Sequence, residues 1–406
     1  MPQLNEFTYS SRFSDSIPIV GSAFTKNQQD AIPLSFGFPA PETFPIQPII
    51  DATTYSLMTD GDRALQYTGG DGKKKIAQWI VDRSKLRSIE TSAENVLVTT
   101  GSMQAIDLAV RTLTDENDEV WIEAPTFFGA VRIFQLAGVR LRSFPVDQNG
   151  VDVDAIEKEL IDATNNHQPL PKMIYVMPNY HNPTGVNLSL ERRKKLAALA
   201  YRYNFFILED DAYVDLNFSN IYVPAIYHYA PERVIYLSTF SKLIAPSIRM
   251  GWAIGNDSVI QKMHLLKVDG TTSAFVQEIV ANVLEKMNVE THISSITQLY
   301  RERCEAMISA VLNYFGDEVT FVVPKGGFFL WLTFPLGVNT SHLVQACVDK
   351  GVNFIAGEYF YEGCLEFNHL RLCFTFCDEK KIDEGIKKIA EVYFANKNLQ
   401  LFQEAE

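Results

Sequence analysis

Continuous apolar runs, rich in β-branched and aromatic residues, recur along the N-terminal and central parts of this chain. The five runs are Asn95–Thr99, Glu119–Glu123, Lys172–Met177, Asn204–Leu208 and Arg233–Leu237. Because their apolar residues do not alternate with polar ones, we expect strands that are buried on both faces of a sheet. Amphipathic stretches lie between the runs, at Met103–Leu113, Phe128–Leu136, Asp154–Leu160 and Leu190–Tyr203. This alternation predicts an α/β fold in which helices sandwich a mostly parallel sheet.

The pattern changes after Phe275, where the regular alternation ends. The elements predicted there are a helix over Val276–Phe315, a strand over Thr320–Phe334 with a break at Gly326-Gly327, a helix near Ser341–Lys350 and a strand over Leu370–Phe376. We therefore predict a second, smaller α+β domain. The predicted division has an N-terminal arm over residues 1–45 that joins the small domain, a large domain over residues 46–285 and a small domain over residues 286–406.

The composition argues against several classes of protein. With 36 Lys and Arg against 49 Asp and Glu, the formal net charge is −13, which leaves no basic surface for nucleic acid. We find neither a secretory signal nor an apolar run long enough to cross a bilayer, and therefore expect a cytoplasmic protein without a membrane partner. The cysteines are odd in number and lack CxxC spacing, and the histidines lack HExxH spacing, which predicts reduced thiols and no metal site.

Polar and aromatic residues follow the predicted strands, at the positions where an open α/β sheet binds its ligands. Ser102, after the first strand, begins a helix whose N–H groups favour a phosphate, unless the serine only caps that helix. Phe127, after the second strand, offers a ring that stacks on a planar ligand, unless it belongs to the core. Asn182, after the third strand, offers an amide donor, although Asn-Pro-Thr-Gly is also a common turn.

The fourth strand ends in an acidic stretch, Glu209-Asp210-Asp211, which Tyr213 follows. A carboxylate at this position can pair with a protonated ring nitrogen and keep the ring an electron acceptor. We assign Asp210 to this role and expect the phenol of Tyr213 to reach the other side of the ring. The alternative is an acidic loop at the surface.

The segment after the fifth strand combines two hydroxyls, an amine and a guanidinium. Ser238 and Ser241 precede Lys242, and Arg249 follows one Pro-broken turn later. An amine that forms a Schiff base must lose its proton, whereas a phosphate dianion needs hydroxyl donors and a permanent cation. The spacing therefore fits a covalently held phosphorylated cofactor. The alternative is a lysine in a solvated loop and an arginine in a surface ion pair.

Taken together, these motifs resemble those of the fold-type I pyridoxal-phosphate aminotransferases of class I/II. The resemblance covers nearly the whole chain, and it is greatest to the 2-aminoadipate and kynurenine aminotransferases and to the effector domain of MocR-type regulators. It implies that pyridoxal 5'-phosphate is bound covalently by Lys242, that Asp210 pairs with the pyridine nitrogen, and that Asn182 and Tyr213 bond the phenolic oxygen. The other contacts that it implies are ring stacking by Phe127, phosphate binding by Ser102, the Met103 amide, Ser238, Ser241 and Arg249, and a phosphate contact from Tyr67 of the second subunit of a homodimer.

The resemblance also implies substrate contacts. Arg371 in His369-Leu-Arg371 matches the arginine that binds the substrate α-carboxylate, with a structural ion pair as the alternative. Gly37 resembles the family's glycine near the substrate, and Asn182 lies beside both ligands. Relatives selective for dicarboxylic substrates carry a basic residue on the N-terminal segment, but there is none around Gly21–Phe24, and Arg12 is the only nearby arginine. An aromatic or apolar amino acid is therefore supported at least as well as a 2-aminoadipate-like one.

These residues predict a ping-pong transamination. The amino group of an L-amino acid passes to a 2-oxo acid such as 2-oxoglutarate, and Lys242 acts as the general base at Cα. A pyridoxal-phosphate-dependent lyase shares the first steps and is one alternative. A ligand-sensing MocR-like regulator without its DNA-binding domain is another. Because the cofactor-domain pattern begins by about residue 34, we expect no winged helix ahead of it.

Overall fold

The computed structural model describes residue 10 and residues 31–67, 69–363 and 366–403. The strands found there are β1 (Ile32–Pro33), β2 (Val96–Thr99), β3 (Glu119–Ala124), β4 (Arg140–Asp147), β5 (Gly150–Val151), β6 (Met173–Val176), β7 (Phe206–Asp210), β8 (Val234–Thr239), β9 (Gly251–Ile254), β10 (Phe329–Thr333), β11 (Val352–Asn353), β12 (Ile355–Ala356) and β13 (His369–Cys373). The α-helices are α1 (Ile46–Ala64), α2 (Gly72–Ser84), α3 (Ser102–Leu113), α4 (Phe128–Leu136), α5 (Val153–Asn165), α6 (Leu190–Tyr203), α7 (Ile226–Tyr229), α8 (Asp257–Leu266), α9 (Ala274–Lys286), α10 (Val289–Phe315), α11 (Val344–Asp349) and α12 (Glu379–Gln403).

The main sheet of the described chain has eight strands in the order β2-β9-β8-β7-β6-β3-β4-β5. Strands β8, β7, β6, β3 and β4 run parallel to one another. Strand β9 lies antiparallel to its neighbours β8 and β2, and β5 forms a short antiparallel hairpin with β4. The five apolar runs of the sequence all lie in this sheet, as β2, β3, β6, β7 and β8. The predicted α/β fold with a mostly parallel sheet is therefore confirmed.

Both faces of the main sheet are buried, as the continuous apolar runs predicted. In β6, Met173 and Tyr175 belong to one hydrophobic cluster, and Ile174 and Val176 belong to another on the opposite face. Helices α3, α4 and α8 contribute to the first cluster, whereas α2, α5, α6 and α9 contribute to the second. Because neither face meets water, apolar residues occupy consecutive positions along each strand.

The C-terminal part forms a separate antiparallel sheet in the order β10-β13-β12, and α10 packs against α12. The single helix predicted over Val276–Phe315 is wrong, because the structure has two helices, α9 and α10. The break lies at Met287 and Asn288, where the Asn288 side chain accepts the N–H of Thr291 and so caps the start of α10. A purely apolar periodicity does not show such a cap.

The strand predicted over Thr320–Phe334 is also too long, because only β10 is regular strand. Gly326 and Gly327 pass close to Tyr180, and a Cβ on Gly327, whose φ is +74°, would lie 2.5 Å from the Tyr180 Cβ. This close approach sets the path by which the chain enters β10. The helix predicted near Ser341–Lys350 is present as α11 after one 3₁₀ turn, and the predicted strand over Leu370–Phe376 is present as β13. Among the described helices, none is long and apolar enough to cross a membrane.

Candidate active site

The carboxyl ends of β2, β3, β6, β7 and β8 meet at one edge of the main sheet. Strand β9 reaches this edge from the opposite direction, because its first residue, Gly251, pairs with Thr239 at the end of β8 and with Thr99 at the end of β2. Arg249, two residues before β9, is therefore brought to the edge where Lys242 follows β8. The sheet thus collects the residues singled out in the sequence at one place.

The three consecutive acids at the end of β7 have different environments, and all three are buried. Glu209 accepts the backbone N–H groups of Ile226 and Tyr227 at 2.9 Å each. Asp211 pairs with Arg87 and accepts the Asn179 side-chain amide at 2.6 Å. These two acids are therefore satisfied within the protein.

Asp210 keeps one oxygen without a partner. Its Oδ2 accepts the Tyr175 hydroxyl at 2.8 Å, while its Oδ1 has no hydrogen-bond partner. Burial raises the pKa of Asp210 to about 6, against the opposing effect of the Tyr175 hydrogen bond. A buried, unpartnered carboxylate oxygen suits a cationic N–H donor such as a protonated pyridine. Because Asp210 is 3% exposed, an acidic surface loop does not describe it.

Lys242 lies half-buried among aromatic rings. Its Nζ donates to the carbonyl oxygen of Gly37 at 2.9 Å and lies 5.0 Å from the ring centre of Phe328 and 5.8 Å from that of Tyr213. Burial lowers the pKa of Lys242 to about 8, and the positive charges of Arg371 and Arg249 act in the same direction. The neutral amine, which is the form that attacks an aldehyde, is therefore more accessible here than for an ordinary lysine.

Two glycines bring the predicted phosphate contacts together. A Cβ on Gly101, whose φ is +79°, would lie 2.8 Å from Nη2 of Arg249, and a Cβ on Gly251 would lie 2.7 Å from the Ser102 nitrogen and 2.8 Å from the Ser238 carbonyl oxygen. Gly101 is the N-cap of α3, so Ser102 is its first residue and does not cap it. The start of α3 and the Arg249 guanidinium thus form a cradle that fits an anion.

The hydroxyls of this cradle also contact the protein. Ser238 Oγ donates to the Asp211 carbonyl oxygen at 3.1 Å, and the Thr239 hydroxyl donates to the Met250 carbonyl oxygen at 3.0 Å and lies 2.9 Å from Ser241 Oγ. Because the one Thr239 hydrogen goes to Met250, the Ser241 hydroxyl donates to Thr239, and both serines would turn their hydroxyls from protein oxygens to a bound phosphate. Met103 lies in the first turn of α3, where its backbone N–H has no partner within the helix.

Tyr213 lies beside Lys242, whereas Asn182 and Phe127 have other neighbours. The Phe127 ring covers Gly129, because a Cβ there would lie 2.5 Å from the ring. Asn182 is buried, and its Oδ1 accepts Nη1 of Arg371 at 2.8 Å, which leaves its amide N–H groups to donate elsewhere. Burial raises the pKa of the Tyr213 phenol, so Tyr213 stays a neutral hydrogen-bond donor.

Arg371 is a buried cation without an acidic partner among the described residues. Its Nη2 donates to the Ser35 carbonyl oxygen at 2.7 Å, its Nε is unpartnered, and its guanidinium lies 4.1 Å from the ring centre of Phe329 and 4.9 Å from that of Phe360. Burial lowers the pKa of Arg371 to about 10. The structural ion pair considered for Arg371 is not found in the described chain, and a ligand carboxylate suits its free charge.

Other predicted residues lie at the rim or outside the described residues. Gly37 lies within the site, since its carbonyl contacts Lys242 and a Cβ on it would lie 2.8 Å from the Phe329 ring. Tyr67 is 90% exposed at the end of the α1 segment and makes no contact with the site of its own chain. Arg12, Gly21–Phe24 and Cys364 lie outside the described residues.

Sequence reasoning missed several residues that complete the site. Tyr175 bonds Asp210, and Phe329 and Phe360 flank Arg371. Glu123 and His181, directly before the Phe127 and Asn182 turns, contact each other across β3 and β6. A signal for Tyr175 was present, because a tyrosine in the middle of a fully buried strand needs a partner for its hydroxyl.

The chain is similar to proteins of known activity over most of its length. The family model described as aminotransferase class I and II matches residues 30–389. The chain is 36% identical to the aromatic-amino-acid aminotransferase 1 of Thermococcus litoralis, over 89% of this chain and 88% of that protein. It is 32% identical to the 2-aminoadipate transaminase of Thermus thermophilus, over 88% of this chain and 89% of that protein. The structure of a kynurenine aminotransferase from Pyrococcus horikoshii, in complex with PMP, superposes with a TM-score of 0.85 at 34% identity, covering 90% of this chain and 91% of that one.

Proposed function

This chain belongs to the aminotransferase class I and II family, and we propose that its donor substrate is an L-amino acid with an aromatic or large apolar side chain. As a member of the family it is a pyridoxal-phosphate-dependent aminotransferase that moves an amino group from an amino acid to a 2-oxo acid. We further propose 2-oxoglutarate as the acceptor. The observation that carries the site assignment is Arg371, a buried guanidinium without an acid partner in the described chain, beside an amine of lowered pKa.

Aromatic side chains around Arg371 support the proposed donor class. Phe360 lies between Phe128, at a ring-centre distance of 5.4 Å, and Trp331, at 5.5 Å. On the other side, Phe36 stacks on Phe38 at 5.0 Å beside Gly37. Rings that line a site favour a flat apolar side chain by burying its surface. Two of the similar proteins are named for aromatic substrates, whereas a third is named for 2-aminoadipate.

Among the described residues, an acidic donor side chain has no evident partner in the site. The cations that lower the pKa of Lys242 are Arg371 and Arg249. We assign the first to the substrate α-carboxylate and the second to the cofactor phosphate. A second substrate carboxylate would then meet aromatic rings, where an unpaired charge loses its hydration without compensation. An aromatic donor therefore suits the described residues better than 2-aminoadipate.

The cofactor is assigned to residues that fit it. Bound pyridoxal phosphate supplies an electron-accepting ring that stabilises negative charge at the substrate Cα. We propose that Asp210 Oδ1 pairs with the pyridine N–H, that Asn182 and Tyr213 donate to the phenolic oxygen, and that Phe127 covers the ring. The proposed phosphate contacts are Ser102, the Met103 amide, Ser238, Ser241 and Arg249.

Lys242 and Arg371 carry the proposed catalytic roles. Lys242 Nζ would hold the cofactor and, when its amine is free, would take the proton from the substrate Cα as a general base. Arg371 grips the α-carboxylate through two parallel N–H donors, with Asn182 beside it, which orients the Cα–H bond toward Lys242. Asp210, kept ionised by its ring partner, maintains the positive charge of the ring nitrogen.

A homodimer would complete this site, and we propose that the partner is a second copy of the chain. Helix α1 buries Ala52 and Ser56 but exposes Ile46, Ile50 and Leu57. Such an apolar face suits a protein interface. Tyr67, exposed just beyond this helix, would then contact the phosphate of the partner's site. Light scattering after gel filtration tests this, and a monomeric mass would exclude it.

Two coarser assignments accompany the proposal. We propose a large domain over residues 46–285 and a small domain over residues 286–406 joined by the arm 1–45. In keeping with this, α9 packs against α1 and α2, whereas α10 packs against α12. We also place the enzyme in the cytoplasm, because the cysteines in the described residues, Cys304, Cys347, Cys373 and Cys377, are buried free thiols.

The visible absorption spectrum tests the proposed function. Purified protein loaded with pyridoxal phosphate is mixed with single amino acids in the absence of an acceptor. We expect the yellow band to bleach with phenylalanine, tyrosine or kynurenine and to return with 2-oxoglutarate. Release of ammonia without an acceptor would instead identify a lyase, and bleaching by 2-aminoadipate alone would refute the aromatic assignment. Lys242→Ala, which removes the covalent anchor, is the control that must show no turnover.

A further inference from the structure

A buried carboxylate and a buried histidine face each other beneath the two turns that carry Phe127 and Asn182. Glu123 is the penultimate residue of β3, and His181 directly precedes Asn182. The distance from His181 Nε2 to Glu123 Oε2 is 3.1 Å, and the side chains are 1% and 2% exposed. The contact is close but is not an aligned hydrogen bond, because Nε2 has no hydrogen-bond partner in the described chain. A buried carboxylate is costly unless it is paired, so this contact has a role.

The hydrogen bonds around His181 define where its proton lies. The Thr184 hydroxyl is 2.8 Å from His181 Nδ1, and the Thr184 oxygen accepts the Val186 N–H at 3.5 Å. The Thr184 N–H also points to Nδ1, at 3.5 Å. With Nδ1 accepting the Thr184 N–H, the ring hydrogen lies on Nε2, the nitrogen that is 3.1 Å from Glu123 Oε2. The contacts at Nδ1 therefore hold the ring with Nε2 next to the carboxylate.

Glu123 also fixes the end of the neighbouring strand. The oxygen that faces His181, Oε2, accepts the N–H of Met177 at 2.8 Å. Met177 follows β6, and Glu123 precedes the Ala124–Thr126 turn that leads to Phe127. Glu123 Oε2, near the end of β3, therefore contacts two residues of the turn after β6: Met177, where that turn begins, and His181, just before Asn182.

From this geometry we propose that Glu123 and His181 are positioning residues that hold the Asn182 amide and the Phe127 ring at a fixed separation on either side of the cofactor. The inference rests on the proposed function, in which Asn182 donates to the phenolic oxygen and Phe127 covers the ring. Neither Glu123 nor His181 contacts the reacting atoms. Their effect reaches the cofactor through Asn182, whose other neighbour, Arg371, fixes the amide oxygen.

The consequence is measurable in the cofactor itself. A donor aimed at the phenolic oxygen stabilises its ionised form and lowers the pKa of the bound chromophore. When the contact between Glu123 and His181 is removed, the Asn182 amide is no longer held toward the phenolic oxygen. We then expect the chromophore pKa to rise by about one unit. Because a misplaced contact also weakens the reacting geometry, kcat/KM should fall by about tenfold or more.

The test compares variants that keep or remove the shared oxygen. Glu123→Gln keeps an oxygen next to the Met177 N–H and His181 Nε2, Glu123→Leu removes that oxygen, and His181→Leu removes the ring beside it. Because each leucine variant leaves a buried polar group without its neighbour, Thr184→Val, which removes only the hydroxyl next to Nδ1, is the milder variant that separates a loss of position from a general loss of folding. Glu366→Gln is the matched control, because Glu366 pairs with His369 Nε2 at 2.8 Å at a more exposed position. The measurements are far-UV circular dichroism, the visible spectrum from pH 5 to 10, and kcat/KM.

The inference predicts that the two leucine variants shift the chromophore pKa upward, that Thr184→Val shifts it less in the same direction, and that Glu123→Gln and Glu366→Gln stay near the parent protein. A chromophore pKa unchanged in folded His181→Leu and Thr184→Val would overturn it. Equal shifts in Glu123→Gln and Glu123→Leu would also overturn it, since charge rather than position would then be responsible. If the parent protein forms no Lys242-dependent band, the proposed function fails and this inference with it.

Discussion

The hydrogen bond from Tyr175 to Asp210 gives a quantitative prediction. The phenol donates to Oδ2 at 2.8 Å in a fully buried site, and the pKa of Asp210 is about 6 with this bond in place. A hydrogen bond to a charged acceptor contributes about 1.5–3 kcal/mol. Since one pKa unit corresponds to about 1.4 kcal/mol, Tyr175→Phe should raise the pKa of Asp210 by about one to two units, to about 7–8.

The assay is the pH dependence of pyridoxal-phosphate binding to cofactor-free protein. If Asp210 pairs with the ring nitrogen as proposed, binding requires its ionised form, so affinity falls as the pH drops through its pKa. The acid limb should therefore lie near pH 6 in the parent protein and about one to two units higher in Tyr175→Phe. The free cofactor titrates identically in both experiments, so the difference between the two curves belongs to the protein.

Tyr300→Phe is the matched control for this experiment. Tyr300 is also fully buried, but its hydroxyl accepts the Ala40 N–H at 3.0 Å and does not contact Asp210. This variant should lose comparable stability without moving the acid limb. If the limb of Tyr175→Phe coincides with that of the parent protein, or if Tyr300→Phe moves it equally, the hydrogen bond does not set the charge of Asp210.

Three further predictions concern the cations of the site. Arg371→Leu should lower kcat/KM for every amino acid by about 100-fold or more, measured by stopped-flow bleaching, because a charge-assisted contact to the α-carboxylate is lost. Arg249→Met should raise the pKa of Lys242 above about 8, because a positive charge that opposes its protonation is removed. The rise should be less than about one unit, because Arg249 is exposed and its charge is screened by solvent. The pH at which cofactor binding increases on the alkaline side should move up by the same amount. Arg87→Leu leaves Asp211 buried and unpaired, and it should therefore reduce the free energy of unfolding of the cofactor-free protein by about 3–5 kcal/mol, measured by urea denaturation. The double variant Arg87→Leu/Asp211→Leu should recover part of that loss.

The strands of the main sheet differ in how readily the sequence predicts them. β2, β3, β6, β7 and β8 are buried on both faces, and a continuous apolar run marks each within one or two residues. Strand β4 was not predicted, because it is partly exposed and alternates with charged residues in Arg140-Leu-Arg-Ser. The four-residue β9 was not predicted either, since it directly follows the Arg249 motif and is too short to show a pattern.

The site divides in a similar way. Residues that follow a strand, such as Lys242 and Arg249, are marked by their types and spacing along the chain. Tyr175 and Glu123 act through partners on neighbouring strands, and these contacts depend on the strand order β3-β6-β7, which one sequence does not contain. The choice of Asp210 among three consecutive acids stays a prediction, although its unpartnered oxygen supports it.

Strand β9 has a consequence for how this chain tolerates change in length. Because β9 turns back beside β8, the proposed cofactor anchor, Lys242, and the proposed phosphate ligand, Arg249, both lie in the connection from Phe240 to Met250, between two hydrogen-bonded strands. Loops usually accept insertions, but here one added residue would move both anchors relative to a rigid ligand. We therefore expect this connection to tolerate substitutions but not insertions or deletions. Changes in length should instead be found in the loops at the amino ends of the parallel strands.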